Sequence, residues 1–141
     1  MIKLYHYTLK ENLEKILSEG LKPTSHYEEF TDLRRGVVFC WLSPDDQKIF
    51  NDNIVCLEIE VEEDRCTVAE MDYISFAMMY KYGGANFGGK NLPINPDASD
   101  LFVKLYEVTA TKIDNCEKNS FFTPEVLVKG EIRANHIKIL N

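Results

Sequence analysis

The sequence lacks most features that would fix a function class at once. It has no Cys-x-x-Cys: Cys40, Cys56, Cys66 and Cys116 are scattered, three of them in apolar segments, which argues for reduced packing residues over disulfides or a zinc site. No apolar run approaches the roughly 20 residues that cross a bilayer. Residues 1–4 (MIKL) carry neither the h-region nor the small-residue cleavage site of a secretory signal. A cytoplasmic location with no membrane partner is expected. No linker interrupts the 141 residues, so a single domain, 1–141, is expected. Basic charge is scarce too. The net charge is −7, with 15 acidic and 8 basic residues in 1–70 and 8 of each in 71–141, and the only adjacent basic pair is Arg34-Arg35. A protein that grips a duplex carries a basic stripe, so duplex nucleic acid is not the expected partner.

What is present is an ordinary globular composition, 45% apolar and 28% charged, and one strongly signalled stretch at 4–21, LYHYTLKENLEKILSEGL. An apolar strand runs there into a helix. Thr8 and Glu11 have the Thr-x-x-Glu spacing of a capping box, which predicts a helix from Leu9. Leu9, Leu13, Ile16 and Leu17 then form one apolar stripe, and Gly20 supplies the left-handed residue that commonly ends a helix. His6 sits just inside this corner. Strand alternation places it on one face with Thr8, and Tyr5 and Tyr7 on the other. From position alone, a histidine between two tyrosines reads as a packed residue.

Residues 22–36 are polar and without periodicity, which marks a candidate lid or ligand-binding loop. Arg34 or Arg35 could fork onto a pyrophosphate there, or simply answer Glu28, Glu29 and Asp32. Residues 37–43 (VVFCWLS) read as a buried strand, and Ser43-Pro44-Asp45-Asp46 as a helix start. Residues 54–62 alternate, with Val55, Leu57, Ile59 and Val61 inward and the glutamates on a solvated face. A short strand at 66–69 and a buried helix at 71–82 before Gly83 follow. Gly84, Gly89 and Lys90 have P-loop spacing, but Asn91 stands where magnesium needs a hydroxyl, and Pro93 and Pro96 oppose the required helix; a glycine-rich flap is expected instead. Residues 99–108 read as a helix capped by Ser99 and 112–120 as a polar loop. The chain closes with a strand opening at Glu125 and a terminal strand.

The run Tyr5-His6-Tyr7-Thr8, then Asn12-Leu13, Ile16-Leu17 and Glu19-Gly20-Leu21-Lys22-Pro23, resembles the opening of small ADP-ribosyltransferase-fold proteins. Their pattern is an apolar strand ending in His-x-Thr, an Asn-Leu in the next helix and a Gly-Leu-x-Pro exit. The likeness is closest to the DNA-targeting toxins of the DarT type and related small domains. Glu125-Val-Leu-Val, followed by an isoleucine, a polar spacer and a terminal strand, is similar to the segment that carries their catalytic glutamate. The middle of the chain does not align.

The resemblance implies an α+β fold of two small twisted, mainly antiparallel sheets with flanking helices, the first and last strands in one sheet. It implies NAD as substrate. Breaking the nicotinamide–ribose bond builds positive charge on the sugar, and a carboxylate beneath it, Glu125, would stabilise that charge and help remove the acceptor's proton. His6, the second catalytic candidate, would also anchor a ribose with Thr8 beside it, Trp41 or Tyr73 would stack on nicotinamide, and Ser43 would lie near the same pocket. The acceptor, macromolecule or small molecule, cannot be read. The alternative function is a non-catalytic domain of the same fold that binds a nucleotide or a partner protein. An RNA 2′-phosphotransferase would be expected to show more basic residues, and a 2H phosphodiesterase would need a second His-x-Thr/Ser, which neither His26 nor His136 opens.

Overall fold

The computed structural model describes residues 1–45, 52–83, 93–117 and 120–140, and of 86–87 and 90–91 the backbone only. Strand β1 (Ile2–Leu9) leads through a 3-10 turn (Lys10–Asn12) into helix α1 (Leu13–Glu19). After a second 3-10 turn (Asp32–Arg34) come β2 (Val37–Trp41), β3 (Ile54–Val61), β4 (Cys66–Glu70) and helix α2 (Met71–Tyr82). The two-residue strands β5 (Asn86–Phe87) and β6 (Lys90–Asn91) precede helix α3 (Pro96–Thr109), and β7 (Thr111–Lys112), β8 (Pro124–Lys129) and β9 (Ile137–Leu140) complete the chain.

The α+β class holds, but the sheets differ from expectation. Seven strands form one antiparallel sheet in the order β7-β4-β8-β2-β1-β3-β9, with β5 and β6 a separate ribbon, in place of two small sheets. The joint is the pairing of Tyr5 with Trp41, which links β1 to β2 and merges what would otherwise be two halves. As expected, the first and last strands share a sheet, with β3 between them.

Paired residues in a sheet point the same way, so the register sorts the side chains onto two faces. On one, Leu4, Leu57, Val38, Cys40, Val126 and Val128 pack against Ile16 of α1, Leu21 and Ile132. On the other, Val37, Ala69 and Leu127 meet Ile74 of α2 and Tyr106 of α3. The row Ala69, Glu125, Trp41, Tyr5, Glu58, Lys138 runs across this second face. Glu58, expected in solvent, is buried there and faces Lys138 at 2.8 Å, because β9 pairs over that edge.

The first corner also departs from its sequence signal. β1 continues through Thr8 and Leu9, which pair with Val55 and Ile54, and the Lys10 amide donates to the Asn53 carbonyl at 2.8 Å. The ladder thus claims the backbone that a capping box would need. α1 starts at Leu13 with no side-chain cap, and its stripe narrows to Leu13 and Ile16, since Leu9 and Leu17 are exposed. Its end is as expected: Gly20 has φ +84, and a Cβ there would run into the Ile132 carbonyl. Leu21 and Ile132 exchange both backbone hydrogen bonds, tying the exit of α1 to the chain's last segment.

α2 has the predicted bounds. α3 begins earlier than expected: Pro96 occupies the first turn, where its missing amide costs nothing, and Asn95 accepts from the Ala98 amide at 3.1 Å. Ser99 is buried instead of capping, and its hydroxyl donates to the Ala77 carbonyl at 2.7 Å, fixing α3 on α2. Ser43 does accept from the Asp45 amide, at 3.2 Å, as an N-cap would; Pro44 and Asp45 form a turn, and the residues beyond Asp45 in which the expected helix would continue lie outside the described residues, as do Gly84 and Gly89 of the expected flap. No described helix is long and apolar enough to cross a membrane.

Candidate functional site

β1 pairs with β3 at eight positions and β2 with β8 at five, yet β1 and β2 are in register only at Tyr5–Trp41. The strands part beyond that pair. Two groups take up the inner edge of β2: the Thr24 amide donates to the Val37 carbonyl at 3.0 Å, and His6 Nδ1 donates to the Phe39 carbonyl at 2.7 Å. The imidazole therefore fills a rung that backbone would occupy in a closed ladder. Burial holds its pKa below the usual value, against the opposing pull of the Phe39 carbonyl, so the ring is neutral at pH 7. With Nδ1 donating, Nε2 is left as an acceptor. A cleft of about 290 Å³ opens beside it, lined by His6, Thr8, Asn12, Lys15, Lys22 and Val38 among others. A histidine acceptor and a threonine hydroxyl over an apolar floor suit a sugar diol.

Glu125 lies elsewhere. It is the second residue of β8, set between Trp41 and Ala69, and the small Ala69 side chain leaves room for the ring of Tyr106 from α3. The Tyr106 hydroxyl donates to Glu125 Oε1 at 2.6 Å; Arg34 Nη1 donates to the same oxygen and, at 3.0 Å, to the tyrosine hydroxyl. Arg34 Nε donates to the His26 carbonyl at 2.7 Å, and the guanidinium lies 4.5 Å over the Phe39 ring. Tyr106 is 0% exposed, Arg34 and Glu125 3% each. Burial raises the Glu125 pKa above the ordinary carboxylate range, while Arg34, Tyr106 and the more distant His26 pull it down. Burial and the facing carboxylate raise that of Tyr106.

The cluster is covered by a strap, residues 25–34, in which Tyr27 adopts φ +58, a conformation non-glycine residues rarely hold. Thr31 donates to Glu107 of α3 at 3.0 Å, and Tyr82 of α2 donates to Glu29 at 3.3 Å, so the strap is tied to both helices. The lead into β8 is fixed from beneath. Glu70, also buried, accepts from the Phe122 amide at 2.5 Å and the Thr123 amide at 2.8 Å.

The residues singled out from sequence thus fall into two groups. His6 and Thr8 line the open cleft, whereas Trp41, one strand away, and Glu125, two strands or about 10 Å away across the sheet, share the opposite face. The resemblance implies one cleft for both, and the alternation of β1 is what divides them. Arg34 is not held out for a phosphate: its guanidinium is committed to Glu125. Arg35 is exposed and bridges Asp32 and Glu28. Trp41 is half-buried and belongs to neither apolar cluster, Ser43 lies just past β2, and Tyr73 packs against Phe102. Tyr106 and Glu70 were missed. A tyrosine on the buried stripe of a helix must find its hydroxyl a partner, which was the available signal for Tyr106.

Comparison with protein-family models, with curated proteins and with solved structures finds no match.

Proposed function

We propose that this protein is an NAD-dependent ADP-ribosyltransferase of the ADP-ribosyltransferase-like fold, moving ADP-ribose from NAD to a macromolecular or small-molecule acceptor. One observation carries the reading: where β1 and β2 part, a neutral His6 lines a sugar-sized cleft with Thr8; against it stands the position of the charge-paired Glu125, two strands away on the opposite face of the sheet. A dinucleotide is two nucleosides joined by a pyrophosphate and reaches further than one strand spacing. On this reading one ribose sits against His6 and Thr8 with its hydroxyls donating to Nε2.

In the transfer, the C–N bond between ribose and nicotinamide breaks, nicotinamide leaves with the bonding electrons, and the acceptor's nucleophile bonds to the same carbon. Its proton passes to Glu125, whose charge meanwhile opposes the positive charge on the sugar. Buried ion pairs are poor stabilisers of a fold, so an Arg–Glu pair enclosed with a tyrosine is better accounted for by work at a site than by packing.

The second reading, a binding domain that holds a nucleotide without consuming it, is favoured by the 3% exposure of Glu125 beneath the strap. Incubation with isotope-labelled NAD and separate pools of protein, DNA, RNA and small molecules decides between them. Label joined to one pool with release of nicotinamide is the expected result. NAD bound and recovered intact would leave the binding domain.

A further inference from the structure

Tyr106 is the buried polar group for which the transferase reading has no use. Two donors, its hydroxyl and Arg34 Nη1, converge on one carboxylate oxygen, Oε1, and no hydrogen bond reaches Oε2 among the described residues. Such an arrangement is costly if it serves packing alone, because a phenylalanine would fill the same space without a hydroxyl to satisfy.

We propose that Tyr106 is the positioning residue for Glu125: with Arg34 it claims Oε1 and fixes the carboxylate plane, so that Oε2 is the oxygen presented to a ligand. The inference rests on the transferase reading for its purpose, but the geometry is its own. Three elements distant in sequence meet at the carboxylate: the second 3-10 turn through Arg34, α3 through Tyr106 and β8 itself. The other charged groups nearby are accounted for. His26 acts on the carboxylate from the strap electrostatically, and the Glu70 carboxylate on the neighbouring strand is turned to the amides of Asp72, Phe122 and Thr123. Arg34 is oriented independently by the His26 carbonyl and the Phe39 ring, so loss of the Tyr106 hydroxyl removes one donor and leaves the cation in place.

The test compares wild type with Tyr106→Phe and with 3-fluorotyrosine placed at 106. Phenylalanine keeps the ring and removes the donor; the fluorinated phenol keeps the ring and donates more strongly. The Glu125 carboxyl is followed by carbon-13 NMR against pH, with NAD affinity and turnover measured alongside. Tyr106→Phe is expected to raise the Glu125 pKa by about one unit or more, the worth of one hydrogen bond to a charged group. The fluorotyrosine protein should shift it the other way. Turnover should follow these shifts in the acid limb of its pH profile, with NAD affinity changed by no more than about twofold. A Glu125 titration identical in all three proteins would overturn the proposal, and the fluorotyrosine protein keeps it testable should Tyr106→Phe fold poorly. Shifts as expected in a wild type that consumes no NAD would instead overturn the transferase reading and leave Tyr106 holding the carboxylate.

Discussion

The two polar sites of this protein are built in opposite ways. At His6 one side chain makes one hydrogen bond to a backbone carbonyl of β2, beside an open cleft whose other walls come from β1, α1 and the residues just after α1. At Glu125 a carboxylate, a guanidinium and a phenol are sealed together, from positions 91, 72 and 19 residues apart in sequence. The difference follows from solvation. A neutral imidazole tolerates partial burial with one partner, whereas a buried carboxylate must bring its counter-charge with it. The open site needs one partner from the neighbouring strand; the closed one needs three charged or polar side chains from separate elements.

If that contrast is right, mutation should separate the sites sharply. The largest effect is expected for Arg34→Ala, which strands the buried Glu125 carboxylate: a loss of about 3–5 kcal/mol in urea unfolding, against less than about 0.5 kcal/mol for the neighbouring Arg35→Ala on the surface. Equal losses for the two would erase the distinction between a buried and a solvated arginine. Gly20→Ala comes next. Its left-handed φ and the Ile132 carbonyl in the path of a Cβ predict a loss on the order of 1–3 kcal/mol, with the wall of the His6 cleft disturbed and Glu125 untouched.

A smaller effect distinguishes the sites by pH. Because burial depresses the His6 pKa, the unfolded chain binds that proton more readily. Stability from this residue is full above the unfolded value of about 6.5 and is lost as pH falls from there through the lowered folded value. Denaturation midpoints between pH 7.5 and 5 should fall more steeply for wild type than for His6→Gln; parallel curves would mean that the imidazole is not held neutral by the fold. The smallest effect is expected for Thr8→Val, which removes one hydroxyl from the cleft and should weaken NAD binding by no more than about tenfold without changing the Glu125 titration.

Legibility in the sequence followed the same division. α2 read correctly because it is a long apolar run punctuated by Gly83, and β3 and β8 were found as strands, although the pairing of β9 buries Glu58 on the face read as solvated. The start of α1 did not: Thr8-x-x-Glu11 is a sound local cap, but pairing of Thr8 with Val55 outcompeted it. The single sheet depends on one contact, Tyr5 with Trp41, that no local pattern announces. His6 and Thr8 were visible as a pair because they share a strand face. The partners of Glu125 were not, since Arg34 resembles any loop arginine and Tyr106 any core tyrosine until the fold brings them to one oxygen.

If Glu125 serves catalysis and His6 serves binding, NAD affinity and NAD turnover measured in parallel must separate between wild type and Glu125→Gln. Glutamine keeps the shape of the side chain and can still accept from Tyr106 and Arg34, but it removes the charge that opposes the cationic sugar. Turnover by wild type, a loss of roughly 100-fold or more in the variant and near-equal affinity are expected, with a melting curve checking that the variant is folded. Wild-type turnover that survives Glu125→Gln unchanged would contradict that division of roles.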